Sequence, residues 1–175
     1  MAKWTIDQMH SEILFKVKHL MITNVTGAFN KFEGHAETEA EDFSDAKIHF
    51  SAETGSVDTN QANRDEHLKS PDFFDAAAFP TLTFESTSFT KDGDKNYKLK
   101  GNLTIKGVTK AVELKVEFGG TAKDSYGQLK SGFDVTGTIS RKDFGLTWAP
   151  VTETGSVVVS DEVKLLATVQ VVKQP

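Results

Sequence analysis

The chain has 175 residues, no cysteine, 38% hydrophobic residues and a formal net charge of −5. That length suits one domain with a sizeable core, and the missing thiols exclude disulfides, thiolate metal sites and cysteine nucleophiles. Lysine and glutamate are interspersed, so there is no basic footprint for nucleic acid, and no apolar run is long enough to span a bilayer as a helix.

The first residues, M-A-K-W-T-I-D, lack the apolar stretch of a secretory signal. With Met1 at the start, the expectation is a cytoplasmic protein, or a periplasmic one if a leader has been removed. Ile13, Phe15, Val17 and His19 then alternate with polar neighbours, the period of a half-buried strand. His19 shares the apolar parity, so its imidazole is expected to point inward and to have a partner, as a buried structural group or as a contact for a ligand's polar end. Val25, Gly27 and Phe29 keep one parity and Phe32, Gly34 and Ala36 the other, which implies a register break near Asn30 and Lys31. Ala46, Ile48, Phe50 and Ala52 form the next alternating segment.

Residues 63–74, N-R-D-E-H-L-K-S-P-D-F-F, interrupt this series with charges, an imidazole and two aromatics. Connections that break a regular scaffold are common places for binding groups. Helical pieces are expected at 61–69 and 71–77. Arg64, Asp65 and His67 are candidate polar contacts, with Arg141 and Asp143 the expected partners of the first two. The alternative is a helical turn closing the β-structure, with Arg64 and Asp65 an ordinary ion pair. Phe73, Phe74, Phe144 and Trp148 sit in connections, where they form a lid or merely close an end.

Alternation resumes at Leu82 and Phe84 and runs clearly through Tyr97, Leu99, Gly101, Leu103 and Ile105. Val112, Leu114, Val116 and Phe118 follow, then Phe133, Val135, Gly137 and Ile139, and last Val163, Leu165, Ala167, Val169 and Val171. This makes about eight strands joined by turn residues, hence an antiparallel sheet closed as a barrel or stacked as a sandwich. Gly27, Gly34, Gly101 and Gly137 fall on the apolar face, where they leave volume for a ligand or mark bends. The polar outward faces exclude a lipid-facing outer-membrane barrel.

Six segments in one order carry a resemblance: D-Q-M-H-S-E-I-L-F-K-V-K-H-L, V-T-G-A-F-N-K-F-E-G, R-D-E-H-L-K-S-P-D-F-F-D, F-P-T-L-T-F-E-S-T, G-N-L-T-I-K-G-V-T-K and R-K-D-F-G-L-T-W. Together they resemble the YceI-like polyisoprenoid-binding family over residues 4–171. The resemblance implies an eight-stranded antiparallel lipocalin-like barrel, often dimeric, whose cavity holds a long isoprenoid chain such as a prenylated quinone precursor. It offers no catalytic motif, so lining residues come from parity: Phe15, Val17, Phe29, Ile48, Phe50, Leu82, Phe84, Leu99, Leu103, Phe133, Val135 and Ile139.

The histidines show no metal-ligand spacing, and there is no nucleophile elbow or P-loop, so no metal, cofactor or catalytic residue is expected. Two functions remain: a carrier or store for an isoprenoid lipid, and an enzyme using Arg64, Asp65, His67 or His19 on such a lipid's head group. The expected partners are the lipid and a second copy of the chain.

Overall fold

A computed structural model describes residues 1–20, 22–147 and 159–175. Its strands are β1 (Ala2–Ile6), β2 (Glu12–His19), β3 (Thr23–Phe29), β4 (Phe32–Thr38), β5 (Lys47–Glu53), β6 (Val57–Asp58), β7 (Thr81–Lys91), β8 (Asn96–Ile105), β9 (Val108–Lys123), β10 (Leu129–Ser140) and β11 (Glu162–Lys173), with one helix, α1 (Ala62–Lys69). Strands β1, β4, β5, β7, β8, β9, β10 and β11 pair in that order, and a β1 to β11 pairing closes the ring into an eight-stranded antiparallel barrel. Strands β2, β3 and β6 continue β1, β4 and β5 upward: β2 pairs with β11 and β3, and β3 with β6. The barrel thus has no free edge along most of its length, which is how such a sheet avoids pairing with another chain.

Each of the first three walls is broken once, and each break is hydrogen-bonded. Between β1 and β2 a 3₁₀ turn at Gln8–His10 is capped by Asp7, whose carboxylate accepts from Met9 N at 3.0 Å and from Lys130 Nζ at 3.1 Å. Between β3 and β4 the Asn30 N–H bonds to Ser56 O (3.2 Å) and that of Lys31 to Ser56 Oγ (3.1 Å). Phe29 and Phe32 are both buried, so the break at 30–31 restores the apolar face, as the parity change implies. Between β5 and β6 the fully buried Thr54 donates from Oγ1 to Phe79 O at 2.8 Å.

At the upper end, α1 begins where the Gln61 side chain accepts from Arg64 N (2.6 Å). The piece expected as helix at 71–77 is instead a run of turns. Asp75 adopts φ 50, a left-handed conformation that cannot propagate a helix, and the N–H groups of Phe74, Asp75 and Ala76 return to carbonyls of Leu68, Ser70 and Lys69.

The lower end is stoppered by the connection between β4 and β5. Phe43, at φ 62 and 2% exposed, turns its ring inward against Trp4 (5.0 Å), Phe133 (5.1 Å) and Phe118 (6.0 Å). Asp45 holds this loop by accepting from the Thr38 hydroxyl and from Glu39 N and Ala40 N at 2.9 and 3.2 Å. Those bonds, that of Thr38 first, favour the ionised carboxylate and lower its pKa to about 2.

Candidate ligand cavity

The barrel interior encloses a cavity of about 670 Å³, within the roughly 300–1,000 Å³ of ordinary ligand pockets. Its wall includes Phe15, Val17, Phe29, Ile48, Phe50 and Leu82, and across from them Phe84, Leu99, Leu103, Phe133, Val135 and Ile139. All twelve sit where strand parity puts them. Parity missed Phe43, which forms the floor from a loop, and Phe89, which faces inward because β7 and β8 shift register between Ser86 and Ser88. The switch from even to odd apolar positions between Phe84 and Phe89 was the signal available.

The inward glycines act differently from the expectation that they leave empty space. A Cβ at Gly27 would overlap the Phe15 ring, one at Gly101 the Phe84 ring and the Glu85 carbonyl, and one at Gly137 the Leu114 side chain. Large side chains therefore lie back over neighbouring strands instead of crossing the lumen. The volume is kept along the axis, and the glycines are its indirect cause.

The upper mouth is polar. Lys18, His19, Arg64, His67 and Arg141 reach the cavity wall there, and no Asp or Glu does so among the described residues. The expected bonds from Arg64 and Asp65 to Arg141 and Asp143 are not formed. Arg64 donates from Nε to Thr59 Oγ1 (2.8 Å) and from Nη2 to Thr59 O (2.7 Å), while Asp65 accepts from Thr59 N (2.8 Å) and Oγ1 (2.5 Å). A residue five or six positions away satisfies both groups, so they brace the entry to α1. Asp65 is not on the cavity wall; Arg64, on it, is otherwise exposed. His67 bonds Asp72 through Nε2 at 2.9 Å and meets the Phe73 ring edge-on at 5.1 Å.

Arg141 is 3% exposed and donates to Ser160 O (2.9 Å), Leu146 O (2.6 Å) and Val159 O (3.1 Å). Burial lowers its pKa from the ordinary guanidinium value, against Asp161, which raises it. This arginine ties the chain on either side of residues 148–158 to the top of β10. His19 corrects another expectation: it is exposed, and its ring has no hydrogen-bond partner among the described residues. It follows the inward parity only to the rim, where β2 ends.

Phe73 and Phe74 are buried at the upper end and line the cavity, Phe74 packing edge-on to Phe29 at 5.5 Å. Phe144 is 1% exposed but lies off the wall, in the core beneath the mouth. Trp148 lies outside the described residues. Among the described residues, no group of three or more His, Asp or Glu is placed to hold a metal ion, and no helix is long and apolar enough to cross a membrane.

A meandering barrel with a greasy axis, a floor at one end and a donor-rich mouth at the other is of lipocalin-like architecture, with an interior large enough for a ligand. The sequence model of the YceI-like domain matches residues 4–171, and the chain belongs to the YceI-like family. A UPF0312 protein of Staphylococcus aureus is 38% identical over 171 residues, covering 97% of each chain. The crystal structure of a Campylobacter jejuni YceI protein superposes with a TM-score of 0.75 at 35% identity, covering 90% of both chains. A polyisoprenoid binding domain from Saccharophagus degradans shares the fold, with a TM-score of 0.72 at 15% identity over 98% of each chain.

Proposed function

We propose that this protein binds a long-chain isoprenoid lipid, such as a prenylated quinone precursor, in the barrel and carries or stores it. The observation that supports this most is the shape and chemistry of the 670 Å³ cavity: an apolar axial channel whose lysine and arginine lining, among the described residues, is all at one mouth. Each buried methylene of a tail contributes about 0.8 kcal/mol before ordering costs, so a long prenyl chain is held without specific contacts. The mouth presents N–H donors, which suit a carbonyl, hydroxyl or anionic polar end. The binding-domain character of the Saccharophagus relative agrees with this reading.

The test is a chain-length series of prenyl alcohols titrated against delipidated protein by calorimetry. Affinity should climb with each added unit until the lumen is filled and then level off. Affinity independent of length would overturn the proposal. Incubating the protein with its lipid and analysing the product by mass spectrometry separates carriage from catalysis: an altered head group would favour the enzyme. A homodimer and a cytoplasmic location are proposed alongside, tested by sedimentation and by cell fractionation.

A further inference from the structure

The hairpin tip between β2 and β3 stands at the rim of the cavity: Lys18, His19 and Thr23 line the mouth on either side of it. Its sequence is L-M-I at 20–22, and Ile22 is 78% exposed. The connections at 92–95 and 124–128 at the lower end are D-G-D-K and D-S-Y-G-Q, which carry no aliphatic residue, their one large exposed side chain being Tyr126 with its polar hydroxyl. Leu20 adopts φ 52, where hairpin turns ordinarily use Asn or Gly. An aliphatic residue in this conformation is poorly chosen for turn formation, and such outliers point to a role beyond folding.

The charges beside the tip give a second, independent observation. Lys16 of β2 faces Lys164 of β11 directly across the ladder, a like-charge pairing that disfavours the sheet. Neither of these lysines nor Lys18 forms an ion pair among the described residues. Their ladder neighbours are Thr26, Asn24 and Thr138, with Glu162 the nearest acidic position along β11. The rest of the upper end, off the cavity wall or around it, is mixed, with Asp65, Glu66, Asp72, Asp75, Asp143 and Asp161 against Arg64, Lys69, Lys106 and Lys142. The opposite end is acidic, with Glu39, Glu41, Asp42, Asp45, Asp92, Asp94 and Asp124 against Lys95 in its connections.

We propose that the tip formed around Leu20 and Ile22, with Lys16, Lys18 and Lys164 behind it, docks on an anionic lipid bilayer and sets the cavity mouth against the membrane. The aliphatic side chains enter the interface, the lysines meet lipid phosphates, and the acidic lower end is repelled outward. A lipid then passes between bilayer and barrel without crossing water. The inference rests on the carrier reading, because it gives the mouth its reason to face a membrane.

Flotation with phosphatidylcholine vesicles, with and without phosphatidylglycerol, tests it. Binding should need phosphatidylglycerol and weaken as salt is raised. Ile22→Asp should bind at least tenfold more weakly, and Lys16→Gln with Lys164→Gln roughly twentyfold, each folded by circular dichroism and the lysine variant melting no lower than wild type because its cross-strand repulsion is gone. Wild-type protein that ignores both vesicle types, or variants that bind as well as wild type, would overturn the docking. Protein that floats with vesicles but yields no lipid on extraction would instead count against the carrier reading alone.

Discussion

Replacing Gly27 by alanine should close part of the lumen, and the magnitude follows from the β2 to β3 ladder. Gly27 is the direct cross-strand partner of Phe15, whose ring covers it and packs on Phe29 at 5.5 Å. A methyl group at position 27 would occupy the space of three ring atoms, so the ring cannot stay over the glycine. The ring must therefore swing toward the barrel axis. Overpacking of this kind costs about 1–3 kcal/mol and loss of the Phe15 to Phe29 contact about 0.5–1.5, offset by about 0.5–1 for removing a glycine from a strand. The net destabilisation is about 1–3 kcal/mol, or roughly 2–4 °C in Tm for each kcal/mol. A displaced ring takes the place of about one isoprene unit, whose burial at about 0.8 kcal/mol per carbon amounts to about 4 kcal/mol. Lipid affinity should then fall by two to three orders of magnitude in calorimetric titration. Adding Phe15→Ala should restore binding while lowering Tm further. If Gly27→Ala binds as tightly as wild type, or the double variant fails to recover, the account of how the glycines keep the lumen open is wrong.

Phe84→Asp and Val135→Asp place a carboxylate on the apolar wall and should abolish lipid retention, whereas Lys98→Asp on the outer face should leave it intact; extraction followed by mass spectrometry reads both, with Phe84→Ala as the control for folding. Asp45, with its folded pKa lowered to about 2, adds stability fully present above its ordinary value of 3.8 and lost as pH falls through about 2. Wild type should therefore melt above Asp45→Asn at pH 6, with the gap closing toward pH 2 in a thermal-unfolding series. Arg141→Met strips the donors from three carbonyls and should cost roughly 3 kcal/mol, seen as a Tm about 6–12 °C lower.

Most of the barrel was legible because each wall has one face in oil and one in water, a contrast that strand alternation records residue by residue. Strand β8 shows this best, with Tyr97, Leu99, Leu103 and Ile105 buried and Lys98, Lys100 and Asn102 exposed. Strands β1 and β6 were missed for the same reason: A-K-W-T-I and V-D are too short to display a period, and only their partners reveal them. What periodicity does not encode is where a side chain leaves the ladder. Phe43 reaches the floor from a loop through a positive φ, and Asp75 ends a plausible helix by the same means. Arg64 and Asp65 were matched to distant charges, but a local Thr59 offered a hydroxyl, an N–H and a carbonyl within reach. His19 kept the inward parity of β2 yet lies at the end of the strand, where the wall no longer encloses it.

The central claim is that the lumen holds a lipid, and the most direct measurement is organic extraction of the purified, folded protein with quantification by mass spectrometry beside Phe84→Asp. The account predicts about one long-chain isoprenoid per barrel in wild type and none in the variant. Wild-type protein without isoprenoid lipid, or the same lipid recovered equally from a folded Phe84→Asp, would contradict it.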